Sequence, residues 1–163
     1  RTRCHVPLDD IVVDTNVFMH ADNRKSPYRD AAKRLIAELW SSATSICLDE
    51  GFDTNEASNR SAIAGEYFEH LTPGNLGLAL ISECALSGRI RSLSTRVDTA
   101  VNKRINQLIS DKSDRKFVKV ALNAAEKVLV SHDARAFHPA AVAELNKKLS
   151  VEVVEAGDAA ERL

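Results

Sequence analysis

A short apolar run that ends abruptly in polar residues is the feature that most constrains how this chain can fold. The run I-V-V at 11–13 is followed directly by Asp14, Thr15 and Asn16. Unbroken β-branched runs are typical of strands that are buried on both faces of a parallel sheet. We therefore predict a strand over about 10–14 that gives way to a loop. Ligands of open α/β sheets bind beyond the carboxyl ends of the strands, so Asp14 lies where a site is expected.

Strand and helix patterns alternate along the rest of the chain. Short apolar runs predict further strands at 46–48, 128–130 and 151–154, and apolar residues at helical spacing predict helices at 26–41, 61–71, 76–86, 95–109, 113–126 and 139–148. This alternation predicts an α/β fold around a small, mostly parallel sheet. A chain of 163 residues can bury one sizeable core, so we expect a single domain over 1–163.

Composition narrows the classes of function that the chain can have. The net charge is −1, so binding of nucleic acid would depend on a local basic patch. Only 5% of the residues are aromatic, which argues against a stacking platform for bases. No apolar run is long enough to span a membrane. Cys4, Cys47 and Cys84 are widely spaced and form no C-x-x-C pair, which indicates thiols in a reducing compartment rather than a zinc site.

Three further carboxylates can converge with Asp14 at one edge of the predicted sheet. Asp133 follows a predicted strand, Asp114 lies on the inward face in the first turn of a predicted helix, and Glu66 borders the apolar face of another. The carboxyl ends of parallel strands meet at one edge, so acids from separate segments can share a site there. The sequence therefore predicts an acidic cluster.

Such a cluster needs a partner of opposite charge, because like charges repel and burial raises the cost. Hard divalent cations such as Mg²⁺ and Mn²⁺ prefer oxygen ligands, polarise a phosphoryl oxygen and activate a bound water. Two alternatives stay open. Asp49 or Glu50, which end a predicted strand, can take the place of Glu66. The acids at strand ends and helix starts can also be turn or helix-cap residues alone.

The ordered motifs around these acids resemble those of the PIN-domain family of metal-dependent ribonucleases. They read V-V-D-T-N at 12–16, E-Y at 66–67, D-R-K-F-V-K-V-A at 114–121 and L-V-S-H-D at 129–133. The resemblance implies a three-layer α/β/α sandwich around a short, mostly parallel sheet. It also implies bound Mg²⁺ or Mn²⁺ and hydrolysis of single-stranded RNA. A helical stretch at about 72–112 is longer here than in compact members of the family.

The resemblance further implies roles for individual residues. The catalytic and metal-binding acids would be Asp14, Glu66, Asp114 and Asp133. Asn16 and Ser131 match small polar positions that orient the acids or a metal-bound water. Basic residues that could contact RNA phosphates near these motifs are Arg24, Lys25, Arg115 and Lys116. The default interpretation of such charges is a solvated face.

The resemblance to small bacterial members of the family implies that the chain is a cytoplasmic toxin, which an antitoxin-like protein holds inactive. The helices over 76–109 could then serve as the surface for that partner or for a homodimer. Neither interpretation involves a membrane.

Two other functions compete with the ribonuclease. Phosphatases of the haloacid-dehalogenase class also begin with a strand that ends in Asp. Their motif resembles D-x-D, in which the second Asp acts as a general acid–base. The corresponding position here is Asn16, which cannot transfer a proton in that role. The stronger alternative is a catalytically silent PIN-like module that binds nucleic acid or protein. Retention of all the acids favours an enzyme, because a binding module gains nothing from repelling phosphates.

Overall fold

The computed structural model describes residues 6–163 and, within them, five strands and eight helices. The strands are β1 (Asp10–Val13), β2 (Ser45–Asp49), β3 (Ile90–Leu93), β4 (Val128–Val130) and β5 (Glu152–Val154). The helices are α1 (Thr15–Asp22), α2 (Arg29–Ser41), α3 (Ala62–His70), α4 (Leu76–Leu86), α5 (Thr99–Leu108), α6 (Lys112–Asn123), α7 (Pro139–Leu149) and α8 (Ala156–Ala160). Strands and helices alternate, as the sequence predicts.

The described strands form one parallel sheet in the order β3-β2-β1-β4-β5. β1 lies at its centre, and every residue of β1 is buried. The register pairs Val12 with Leu129 and Val13 with Val130, so β1 and β4 end level with each other. The residues that follow these two strands therefore emerge side by side at the carboxyl edge of the sheet.

Helices form the outer layers of the predicted three-layer α/β/α sandwich. α1, α2, α4 and α8 pack in one group around α2, whereas α5 packs against both α6 and α7. α3 contacts α1 of the first group and α6 of the second. Glu66, which lies on α3, is therefore carried to the junction between the two groups.

An aromatic pair fixes α1 and α3 at the end of β1. The buried rings of Phe18 and Tyr67 pack edge to face with their centroids 5.2 Å apart. The Tyr67 hydroxyl donates a hydrogen bond to the carbonyl oxygen of Val13, the last residue of β1. Gly77 lets α4 approach the pair closely, because a Cβ atom there would lie 2.6 Å from the Cβ of Phe18. The pair thereby holds Glu66, the neighbour of Tyr67, beside the end of β1.

Two elements differ from the sequence-based prediction. The sequence predicts a loop after β1, but α1 begins at Thr15 and Asp14 is its N-cap residue. β3 interrupts the stretch of about 72–112 that is expected to be helical. Its pattern resists prediction because Arg91 and Ser92, half of the strand, are polar and exposed at the edge of the sheet.

The remaining differences concern element ends. α4 and β4 have the predicted bounds. α5 begins at Thr99 rather than near residue 95, because the Asp98 side chain caps it. α6 begins at Lys112 rather than 113 and ends at Asn123 rather than 126. Asp111 is its N-cap residue and accepts a 2.9 Å hydrogen bond from the Ser113 N–H.

Two of the three cysteines lie within the described residues. Cys47 and Cys84 are buried and free, and burial raises the pKa of both. Cys4 lies outside the described residues. None of the helices within 6–163 has the length and apolar character that crossing a membrane requires.

Candidate acidic site at the carboxyl edge of the sheet

Asp14 lies between the ends of β1 and β4 and is only 4% exposed. Its Oδ2 accepts hydrogen bonds from the Ser131 hydroxyl at 2.8 Å and from the Asn16 side-chain amide at 2.9 Å. Asn16 in turn accepts a 3.1 Å hydrogen bond from the backbone N–H of His132. These bonds join the start of α1 to the segment after β4. Both polar residues to which the resemblance gives orienting roles thus contact Asp14 directly.

Asp133 lies two residues beyond Ser131 in the turn that follows β4. The Ser131 hydroxyl oxygen accepts its N–H at 3.1 Å, and its own Oδ1 accepts the N–H groups of Arg135 (2.9 Å) and Ala136 (3.0 Å). Asp133 therefore caps this turn with one carboxylate oxygen, which agrees with the alternative that acids at strand ends are turn or helix-cap residues. Within residues 6–163, the other oxygen receives no hydrogen bond, so the capping role leaves it able to bind a ligand.

Asp114 faces a cleft of about 450 Å³ at the amino end of α6. The cleft is lined by Ser110, Asp111, Asp114, Asp133, Arg135 and Ala136. The beginning of α6 thus supplies two acids and the turn after β4 supplies the third. A substrate that enters this cleft meets three carboxylates and one guanidinium group.

Glu66 projects from α3 towards both α1 and α6. The Thr15 hydroxyl donates to its Oε2, and the Lys116 ammonium lies 3.1 Å from its Oε1. The side chains of this ion pair are each only 18% exposed, so solvent screens their attraction weakly. Both carboxylate oxygens of Glu66 therefore already have partners within the protein.

Electrostatic repulsion links the candidate acids to one another. The pKa of Asp14 is raised to about 7, first by burial and then by the charges of Asp114 and Glu66, while hydrogen bonds to its carboxylate oppose the shift. The pKa of Asp114 is raised to about 6, first by burial and then by Asp111, Asp133 and Glu66. Asp14 and Asp114 are thus harder to ionise, because they are buried and because neighbouring acids are charged.

The two alternatives to Glu66 occupy different surroundings. Asp49 is buried, and its carboxylate accepts hydrogen bonds from the Ser61 hydroxyl (2.5 Å) and from the N–H groups of Ala62 (2.7 Å) and Ile63 (2.9 Å). This carboxylate therefore holds the start of α3. Glu50 is exposed. Of these three acids, it is Glu66 whose charge raises the pKa of both Asp14 and Asp114.

Asp10 is a second buried acid and lies at the end of β1 opposite to Asp14. Its carboxylate accepts hydrogen bonds from the Arg91 guanidinium (2.7 Å) and from the N–H groups of Ala125 (3.0 Å) and Glu126 (2.9 Å). Burial alone would raise its pKa, but these bonds and the Arg91 charge lower it overall. Asp10 ties β1 to β3 and to the end of α6.

The basic residues near the motifs divide into free and engaged side chains. Arg24 and Lys25 are exposed in the loop after α1. Arg115 donates to two carbonyl oxygens just beyond α5, at 2.8 and 3.1 Å. Lys116 pairs with Glu66 and also donates to a backbone carbonyl at 2.7 Å. Of the four, Lys116 is therefore the one that contacts a candidate acid.

The chemistry of the cluster fits a hard divalent cation, whereas its spacing does not form a ready-made site. Carboxylate oxygens are the ligands that Mg²⁺ and Mn²⁺ prefer, and a cation would relieve the repulsion that raises the pKa of Asp14 and Asp114. Among residues 6–163, no three His, Cys, Asp or Glu side chains lie close enough together to hold one ion. Side chains would therefore have to move for the cluster to hold one ion.

Thr15 and Asp111 take part in the acidic site although the sequence analysis assigns neither. Thr15 is the first residue of α1, a helix that the sequence analysis replaces with a loop. Asp111 is the N-cap residue of α6 and lies just outside the helix predicted at 113–126. The available signal was an acid before a helix start, which is a common N-cap pattern.

Comparison with known proteins places this arrangement in a family. A family model of the PIN domain matches residues 10–135. The match begins with β1 and extends past Asp133, so it contains all four candidate acids. No curated protein is similar in sequence to the chain. The match spans most of the chain and agrees with the parallel α/β sandwich, a fold of the nuclease type, and on these grounds the chain belongs to the PIN-domain family.

Proposed function

We propose that the chain is a metal-dependent endoribonuclease that hydrolyses phosphodiester bonds of single-stranded RNA. The observation that carries this proposal is the mutual repulsion of acids from separate segments, which helps to raise the pKa of Asp14 to about 7. Buried acids that repel one another destabilise a fold unless a ligand uses them. Perturbed acids that converge at the edge of a cleft are typical of catalytic sites.

The proposed ligands for Mg²⁺ or Mn²⁺ are Asp14, Glu66, Asp114 and Asp133. When bound, such a cation polarises a phosphoryl oxygen and lowers the pKa of a water. Ser131 and Asn16 hold the Asp14 carboxylate in one orientation through their hydrogen bonds to Oδ2. Orientation matters because a misplacement of about 1 Å can cost roughly a hundredfold in rate.

The reaction also requires transfer of protons. In hydrolysis a water loses a proton as its oxygen forms a bond to phosphorus, the bond from phosphorus to the leaving ribose oxygen breaks, and that oxygen takes up a proton. Asp114 lines the cleft and has a pKa of about 6, so it can accept or release a proton near neutral pH. We assign Asp114 this role where it is not a ligand of the cation, because a bound cation would lower its pKa and keep it ionised.

Cations of the chain would offset the acids as RNA approaches. Arg24 and Lys25 are exposed and able to contact the phosphate backbone, as are the remaining N–H groups of Arg115. Lys116 offsets the charge of Glu66 in the free protein. It could transfer to a phosphate when Glu66 changes partners.

A catalytically silent binding module is the second candidate function. The occupied carboxylate of Glu66 supports it, because Thr15 and Lys116 already satisfy both oxygens. The same holds for the acids within 6–163 as a group, since no three of them are poised around one ion. A silent module would bind RNA or protein and cut neither.

Cleavage of an end-labelled single-stranded RNA with Mn²⁺, with Mg²⁺ and with chelator tests the proposal. Wild type is compared with Asp14→Asn and with Asp30→Asn, which makes the same chemical change at an exposed position of α2. We expect metal-dependent cleavage that is lost only in Asp14→Asn. Cleavage that survives in Asp14→Asn would indicate a contaminant. Absence of cleavage by wild type would favour the silent module.

The role as a cytoplasmic toxin restrained by an antitoxin-like protein is a finer proposal. Large hydrophobic side chains that a protein partner could cover are Met19, Leu76 and Leu86, which are 47%, 39% and 86% exposed. Much of α4 is already buried within the chain, including Leu80 and Ile81, which limits the area left for a partner or a homodimer. Light scattering over a range of protein concentrations tests the dimer.

A further inference from the structure

A groove between α5 and α6 is lined by four cations on one face of α6. Lys112, Arg115, Lys116 and Lys119 follow the spacing i, i+3, i+4, i+7, which places them on one side of a helix. The groove has a volume of about 400 Å³, and Asn102 and Asn106 of α5 form part of its opposite wall. We call these six residues the basic groove.

The basic groove differs from an ordinary solvated face. Lys116 is only 18% exposed and Lys119 is half-buried, whereas unconstrained surface lysines extend into water. Neither Lys112 nor Lys119 forms an ion pair with an acid of residues 6–163. Asp49 is the acid at the groove, and three hydrogen bonds from the protein already satisfy it. The four cations of the groove therefore outnumber the two acids in contact with it, Asp49 and Glu66. Asp111 acts on Lys116 and Arg115, which leaves Lys112 and Lys119 as the cations without an acidic partner among residues 6–163.

The basic groove adjoins the acidic site at one residue. Lys116 lines the groove and also contacts Glu66. The other face of α6 presents Asp111 and Asp114 to the acidic cleft. α6 thus separates a surface that repels phosphates from a surface that attracts them, and Lys116 lies at their border.

We propose that the basic groove binds the phosphate backbone of single-stranded RNA on one side of the cleaved bond. This inference rests on the proposed ribonuclease function and adds to it a direction for the substrate. Lys112 and Lys119 supply point charges for phosphates, and the two asparagines supply neutral hydrogen-bonding groups. The Oδ1 of Asn102 is buried and has no hydrogen-bond partner among residues 6–163. As an acceptor it can bind a ribose hydroxyl or a base N–H, whereas the phosphates are left to the lysines.

Neutralising the two unpaired lysines tests the groove without disturbing the acidic site. Lys112→Gln/Lys119→Gln is preferred over changes at Arg115 and Lys116, because those two side chains hold the protein's own carbonyls and Glu66. Lys147→Gln/Lys148→Gln on α7 is the matched control, since it removes the same charge from exposed positions. Thermal melting of each variant establishes that it is folded.

The probe is a fluorescein-labelled single-stranded RNA of about 12 nucleotides, measured by anisotropy with chelator present so that binding is separated from cleavage. Each single-strand phosphate contact contributes roughly 0.7 to the slope of log affinity against log salt. We therefore expect the slope of Lys112→Gln/Lys119→Gln to fall by about 1.4 relative to wild type, with weaker binding at every salt concentration. The control variant should keep the wild-type slope.

Three results would overturn the groove. One is an unchanged slope in Lys112→Gln/Lys119→Gln, and another is failure of wild type to bind the RNA at low salt. The third is binding of a polyglutamate peptide in place of RNA, which would assign the groove to an acidic protein segment. The nuclease is judged separately: groove-dependent binding without metal-dependent cleavage would refute the enzyme and retain the groove.

Discussion

Replacement of Asp14 by Asn should make the metal-free protein more stable, although Asp14 is buried at the centre of the fold. The change removes a negative charge and keeps the shape of the side chain. The amide oxygen can still accept the hydrogen bonds that Ser131 and Asn16 donate to Oδ2. What disappears is the cost of holding a charge in a buried position beside Asp114 and Glu66.

The size of the effect follows from the pKa of Asp14. Folding raises that pKa from 3.8 to about 7, and each pKa unit corresponds to about 1.4 kcal/mol. The ionised carboxylate therefore destabilises the native state by about 4 kcal/mol once the pH exceeds the folded pKa. The penalty is absent below pH 3.8, where the carboxyl group is protonated in both states. Wild-type stability should thus fall between about pH 4 and 7, and the stability of Asp14→Asn should not share this fall.

Urea unfolding followed by circular dichroism, with chelator present, measures the difference. At about pH 7.5 we expect Asp14→Asn to exceed wild type by roughly 4 kcal/mol, and at about pH 4.5 by roughly 1 kcal/mol. Asp30→Asn should be no more stable than wild type at either pH, because Asp30 lies in the first turn of α2, where its charge contributes at most about 1 kcal/mol. A variant that is no more stable at pH 7.5, or a difference that does not grow with pH, would refute the reasoning and make Asp14 a structural residue.

Three further predictions follow from the same geometry. Millimolar Mg²⁺ or Mn²⁺ should raise the melting temperature of wild type but not that of Asp14→Asn. At a hundredfold excess over the dissociation constant, the added stability is about 2.7 kcal/mol. The rise in melting temperature should shrink as the pH is lowered, because protons compete with the metal for the acids. Asp10→Asn should destabilise the protein by about 2 kcal/mol at pH 7 in urea unfolding. The loss should diminish in acid, because the lowered pKa of Asp10 contributes its full stability above the unfolded value of 3.8 and loses it as the pH falls through the folded pKa. Asp49→Ala should cost about 2 kcal/mol of stability, because the start of α3 loses its hydrogen-bond acceptor. Normal stability together with loss of RNA cleavage would instead place Asp49 among the catalytic acids.

Local patterns suffice for the parts of the fold that local physics determines. β4 and α4 have the predicted bounds because an unbroken apolar run and a run ended by Gly88 carry their own signals. The parallel direction of the strands follows from their alternation with helices. β3 escapes prediction because an edge strand needs few apolar residues, and its identity depends on pairing with β2. α1 escapes because the polar residues after β1 are equally suited to a turn and to a helix start.

The partners of the acids depend on contacts between distant segments, which no local pattern contains. Motif order identifies Glu66 as a candidate, but only the packing of α3 against α1 and α6 brings Thr15 and Lys116 to its two oxygens. The same packing distinguishes Glu66 from Asp49, which lies at the start of α3 and caps it. Sequence therefore predicts which residues can meet, and the structure determines how each one is satisfied.

Asp10 and Asp14 show how far this distinction reaches. They flank the same I-V-V run, and both are almost completely buried. Two backbone N–H groups and a guanidinium surround Asp10 and lower its pKa, whereas two like charges lie near Asp14 and contribute to raising its pKa. An acid such as Asp10, whose carboxylate is hydrogen-bonded and paired within the protein, gains little from binding a cation. An acid that its neighbours repel gains stability from any cation that arrives, so the residue that weakens the metal-free fold is the one suited to metal chemistry.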